Sequence, residues 1–152
     1  MLNRTLAAFL QEGLGIHIGA CNERLEPNGA RALAVTVDED GTHLEVFLAE
    51  VAAARLIPDL NANGNAAVSF GRPIDDRACQ VKGVLVAVRP AEPHEREPIQ
   101  TQFEAFLSSL ERIGIPRASA ANWPRWPAVA LRLKATAVFE QTPGPAAGKP
   151  MS

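Results

Sequence analysis

NAAVSFGRPIDDRACQVKGVLVAVRPA, residues 65–91, is the stretch whose reading decides the fold. It predicts two strands, Asn65–Arg72 and Ala78–Val88, joined by a charged turn at Pro73–Arg77. Val68 and Phe70 alternate with Ala67 and Ser69, the period of two that marks a strand with one buried face. In the second strand Cys79, Val81, Leu85 and Ala87 share one face, and Gln80, Lys82, Val84, Val86 and Val88 the other. Both faces become apolar toward Val88, so that end is expected to be covered on both sides. Gly83 inside the run signals a bulge or the close approach of another backbone or ligand.

Outward from this hairpin the chain supplies more antiparallel pieces. Leu2, Leu6, Phe9 and Leu10 recur at helical spacing, and Gly13 closes that short helix. Leu14 to Cys21 alternates Leu14, Ile16, Ile18 and Ala20 with a sparse face of Gly15, His17, Gly19 and Cys21. Glu26-Pro-Asn-Gly29 is a turn, Ala30 to Asp38 a strand, Asp40-Gly41 a hairpin dipeptide, and His43 to Ala49 the next strand. Short turns between strands make a meander, not a parallel sheet. Glu50 to Asn63 is alanine-rich and helical, with a short helix or a kink expected at Pro58. Ile99, Phe103, Phe106, Leu107, Leu110 and Ile113 predict a long helix after Pro93, stopped by Gly114 and Pro116. Val129, Leu131 and Leu133 then open a last strand, Pro127 to Glu140. The whole reads as a mainly β domain over residues 1–141 with flanking helices, and an extended Pro/Gly-rich tail over 142–152.

The 152 residues carry a net charge of −2, with 47% hydrophobic and 21% charged residues. That balance suits one folded core and lacks the basic surplus of a nucleic-acid binder. No apolar run reaches membrane-spanning length, and the first thirteen residues lack the apolar block of a signal peptide, so the expected location is cytoplasmic. Cys21 and Cys79 are read as small hydrophobes; His17, His43 and His94 have no zinc-ligand spacing, so no metal is expected. Tyrosine is absent.

This order of elements resembles the FMN-binding split barrel of the pyridoxamine 5′-phosphate oxidase-like superfamily. The resemblance covers Leu2 to about Gly148. It is carried by the block from Val46 to Phe70, by Gln80-Val-Lys-Gly83, and by the tail Phe139-Glu-Gln-Thr-Pro-Gly-Pro-Ala-Ala-Gly148. It implies a six-stranded antiparallel split β-barrel forming a homodimer, with FMN as cofactor at the subunit interface. It implies that Arg31 and Arg55 hold the flavin phosphate, although Leu56 stands where the family usually has lysine. Gln80 and Lys82 would line the flavin, and Trp126 and Arg132 match an aromatic and an arginine near the last strand. It also implies flavin-dependent oxidoreductase activity on a small molecule that the sequence does not name. The last strand reads Leu131-Arg-Leu-Lys-Ala135, without the family's Arg-x-His pair, so pyridoxamine phosphate is not the expected substrate. No catalytic acid or base stands out, His17 being the one speculative candidate. The alternatives are a non-catalytic dimer of the same fold holding haem or another planar ligand, and one holding no cofactor.

Overall fold

The computed structural model describes residues 2–151. In chain order its elements are α1 (Arg4–Leu10), β1 (Gly15–Cys21), β2 (Pro27–Ala32), β3 (Ala34–Val37), β4 (His43–Ala49), α2 (Glu50–Asn63), β5 (Asn65–Gly71), β6 (Ala78–Pro90), α3 (Arg96–Arg112) and β7 (Ala128–Glu140). All seven strands form one antiparallel sheet in the order β2-β1-β5-β6-β7-β4-β3. The decisive hairpin, β5–β6, lies at its centre.

One strand more than expected is present because the segment Ala30–Asp38 divides at Leu33. Residues before Leu33 pair with β1, and residues after it pair with β4. β2 and β3 are therefore the two edges of the sheet, yet they are consecutive in the chain. A single residue separates them, so the edges must meet there and the sheet curls on itself. Leu33 donates its N–H to Phe47 O at 2.8 Å across this corner. The result is the curled sheet of a split barrel.

Bulges supply the curvature. Between Lys82 and Gly83 the β6–β7 register shifts, and a second shift falls between Leu85 and Ala87. A Cβ on Gly83 would stand 2.8 Å from the Lys134 carbonyl oxygen, so only glycine lets β7 come this near.

Two apolar clusters share the work of burial. The barrel interior takes Ile16, Ile18, Val46, Leu48, Val68, Phe70, Val81, Leu131 and Leu133, together with Leu6, Phe9 and Leu10 from α1 and Ala53, Leu56 and Leu60 from α2. The second cluster lies on the outside of the sheet, where Ile99, Phe103, Phe106 and Leu107 of α3 cover Leu33, Phe47 and Ala130. Gln102 pins this helix to the sheet edge: its side chain accepts from Val35 N and donates to Val35 O, both at 2.9 Å.

Three expectations change. Helix α2 runs unbroken through Pro58. Pro58 and Ala54 are both exposed, so water can satisfy the carbonyl that loses its partner. The far end of β6 is open on both sides: Val84, Val86 and Val88 are 39%, 54% and 39% exposed, Ala87 is exposed too, and beyond the second register shift Val88 shares the face of Leu131 while α3 packs elsewhere. The tail is not extended. It turns back after Glu140 and pairs with β7 through Gly148 N to Glu140 O (2.7 Å) and Met151 N to Val138 O (2.8 Å). No helix among the described residues is long and apolar enough to cross a membrane.

Candidate functional site

Antiparallel register sets four polar side chains in a row across the outer face of the sheet. Arg31 on β2 faces His17 on β1, His17 faces Ser69 on β5, and Ser69 faces Gln80 on β6. Residues directly opposite in neighbouring strands lie about 5 Å apart, so the row spans four strands. Gln80 Nε2 donates to Ser69 Oγ at 3.1 Å.

Arg31 is the pivot of this face. Its guanidinium stacks 4.2 Å from the ring centre of Trp123, with Phe106 at 5.8 Å on the other wall. It has no carboxylate within ion-pair distance among the described residues, although it is half-buried. Burial draws its pKa below the ordinary guanidinium value. A desolvated cation without a counter-charge favours any anion that reaches it. His17 is held below the usual imidazole value, first by partial burial and then by the neighbouring Arg31 charge. It is neutral at physiological pH and is free to accept or donate one hydrogen bond.

Arg31 borders three hollows: one of about 250 Å³ against α3 and the loop after it, and two that reach other candidate site residues. The smaller of the latter two, about 290 Å³, is lined by Gly29, Ala30, Arg31, Leu33, Ala49, Ala52, Arg55, Trp123 and Pro124. Arg31 and Arg55, distant in sequence, thus face one cavity. Ala49 and Ala52 belong to the first turn of α2, whose backbone N–H groups carry the positive end of the helix. Arg55 has no ion-pair partner among the described residues. The larger, about 520 Å³ and more open, runs along the outer face past His17, Arg31, Ser69, Phe70 and Gly71 to Gln141 and Pro143 of the returning tail.

Lys82 follows Gln80 on the same face and reaches over the Phe139 ring at 5.3 Å. The neighbouring positions across the sheet are Ala67 on β5 and then Gly19 on β1, so this part of the face is a flat shelf. Trp126 and Arg132 border none of these hollows. Arg132 makes a two-pronged ion pair with Asp38. Trp126 sits beneath α3 with the Arg96 guanidinium 5.4 Å away. The six residues expected to touch the cofactor therefore separate within one chain into Arg31 with Arg55, Gln80 with Lys82, and two outliers.

Asp38, Asp40 and His43 bring ligand atoms within 4.8 Å of one another at the β3–β4 turn. Arg132 already neutralises Asp38, and the Thr42 hydroxyl bridges Asp40 and the His43 ring, so the group is internally satisfied. Trp123 and Ser69 are site residues that sequence reasoning missed. Ser69 sits at an outward position opposite Gln80 and is found once register is known. Trp123 reaches Arg31 from a loop 92 positions later, and no local pattern announces that contact.

No protein-family model and no curated protein matches the chain. Several solved structures do. HupZ of Group A Streptococcus is 14% identical over 97% of this chain and 100% of its own, with a TM-score of 0.57. A candidate pyridoxamine 5′-phosphate oxidase from Lactobacillus delbrueckii is 13% identical over 91% and 93%, with a TM-score of 0.55. An FMN-binding protein from Syntrophomonas wolfei is 14% identical over 91% and 82%, with a TM-score of 0.52. At such identities the likeness is one of fold: a curled antiparallel sheet with flanking helices, the split barrel.

Proposed function

We propose that this chain binds FMN and serves as a flavin-dependent oxidoreductase. The observation that carries the reading is the meeting of Arg31 and Arg55 with the first turn of α2 around one hollow. A flavin phosphate is dianionic and needs two or three charge-assisted donors, which this set supplies. Arg31 contributes most, because it is half-buried, stacked in place on Trp123 and short of a counter-charge. The outer-face row His17–Ser69–Gln80 begins at Arg31 and offers hydrogen-bonding groups to a flat ring lying on the sheet. Gln80 can give and accept at ring oxygens and nitrogens, and Lys82 adds positive charge beside it. The bound flavin would supply hydride chemistry, while the chain binds and orients it. His17, neutral and exposed beside Arg31, is the group best placed to exchange a proton near the row. Pyridoxamine phosphate remains an unsuitable substrate, since Arg132 is occupied by Asp38 and no histidine follows it in β7.

The reading includes a homodimer. Val84, the bulged Val86 and Ala87 form an exposed apolar strip on the outer side of β6, beyond the shelf that carries Lys82. Large uncovered apolar stripes of this kind mark association surfaces. A second copy on this face would bring its own charged residues toward the shelf.

The test is the visible spectrum and flavin fluorescence of the purified protein. Stoichiometric quenching of added FMN, weakened in Arg31→Gln, supports the reading. A protein that leaves FMN fluorescence unchanged at micromolar concentrations, or that takes up haem with a Soret band instead, overturns it.

A further inference from the structure

A separate hollow of about 190 Å³ lies between α3 and the loop that leads into β7. Its floor is apolar: Leu33, Ile99 and Phe103 are 5%, 5% and 1% exposed. Trp126 forms one wall, and Arg96 and Arg125 stand at the rim. Both arginines lean on aromatic rings, Arg96 at 5.4 Å from the Trp126 centre and Arg125 at 4.9 Å from Phe103.

Their charges are not equally occupied. Arg125 donates to Glu104 at 2.8 Å, and Glu104 is shared with Arg117. Glu104 thus faces two guanidiniums, but Glu111 also pairs with Arg117 at 3.0 Å, so the excess positive charge is that of Arg96. Arg96 has neither an ion pair nor a side-chain hydrogen bond among the described residues. The rim is therefore net positive, and its free fork stands above an aromatic wall. A planar guanidinium in this setting pairs with a carboxylate through two parallel hydrogen bonds. The dry floor and the indole face accept a flat hydrocarbon. A single free fork suits a monoanion better than the dianion of a phosphate ester. The volume admits one six-membered ring and little more.

We propose that this hollow binds a small aromatic monocarboxylate, with its ring against Trp126 and the floor and its carboxylate on Arg96. The site stands apart from the proposed flavin cavity, sharing only Leu33 with it, and does not depend on flavin being bound.

Titration calorimetry at low salt with benzoate, benzyl alcohol and inorganic phosphate tests this. Benzoate should saturate at one per chain, and each of the other two should bind at least about tenfold more weakly, the loss expected for one charge-assisted contact or for the apolar one. Arg96→Gln, an exchange of helix-formers at an exposed position, should weaken benzoate by about tenfold while leaving the melting temperature in place. Benzoate should also shift the indole resonance of Trp126 more than that of Trp123, assigned with Trp123→Phe. Absence of saturable benzoate binding overturns the proposal. So does benzyl alcohol or phosphate binding as tightly, an Arg96→Gln variant that binds like the parent, or a shift confined to Trp123.

Discussion

Replacing Arg31 by glutamine keeps a polar stem against Trp123 but removes the charge and the fork. A charge-assisted hydrogen bond contributes about 1.5–3 kcal/mol net, and the upper half of that range applies where solvent is partly excluded. Arg31 is half-buried, stacked 4.2 Å from Trp123, and lacks a competing carboxylate, so the loss should be about 2–3 kcal/mol. At about 1.4 kcal/mol per factor of ten, FMN should bind about 30- to 150-fold more weakly. Arg55 is exposed, and solvent screening reduces its share to about 1 kcal/mol, or about fivefold. Riboflavin, which lacks the phosphate, separates this effect from any other. It should bind the parent weakly and bind Arg31→Gln equally weakly, so the two variants differ only toward the phosphorylated ligand. Fluorescence quenching with both ligands and both proteins completes the square. A thermal melt guards against misfolding, since losing the stack on Trp123 costs only about 0.5–1 kcal/mol of stability. If Arg31→Gln weakens riboflavin as much as FMN, the phosphate does not meet Arg31. If it weakens neither, the cavity beside α2 is not the anion site.

Other consequences follow from the same geometry. Val86→Glu places a charge on the apolar stripe of β6 at a position 54% exposed in the single chain; sedimentation should show a monomer with an unchanged melting temperature, and a persistent dimer would remove this face from the interface. Gln102→Leu leaves Val35 N–H and C=O without partners at 2.9 Å and should lower stability by about 2–3 kcal/mol in urea unfolding, whereas a neutral result would mean water replaces the amide freely. Glu95 is held at about 2 instead of 4.5, first by hydrogen bonding from Arg89, so its contribution is complete above pH 4.5 and is lost as pH falls toward 2. That contribution is at most about 3 kcal/mol, and Arg89→Met should flatten the acid limb of the stability–pH curve; an unchanged limb would show that this pair does not drive it.

The strands were legible because their alternation is strict. Ile16 and Ile18, Val68 and Phe70, and Val81 with Cys79 all face the interior, as period two requires, and Gly83 sits where a backbone crowds it. The break at Leu33 was not legible. Arg31, Leu33, Val35 and Val37 continue one pattern in sequence, and only the change of partner from β1 to β4 divides the strand. Pro58 does not shorten α2, whose end at Asn63 matches the expectation, because the carbonyl that loses its partner faces solvent. Arg31 and Arg55 came from family likeness, and their shared hollow follows from α2 packing beside β2. Trp126 and Arg132 matched by sequence position, but each is engaged within its own chain, by Arg96 and by Asp38. No local signal could pair Arg31 with Trp123, a contact made only when the loop after α3 folds back across the sheet.

The clamp of Gln102 on Val35 bears on how copies of this chain can stick together. A free strand edge offers unpaired amides and carbonyls that a neighbouring molecule can extend into a longer sheet. Here a side-chain amide imitates the pairing of one more residue and occupies both groups of Val35, with α3 lying over them. The opposite edge, β2, meets β3 at Leu33 instead of running free at that end. Growth by edge addition is thereby blocked at β3 and held back where β2 meets it, which favours contact face to face. An isologous contact of that kind closes on itself after two copies, whereas edge growth has no natural end.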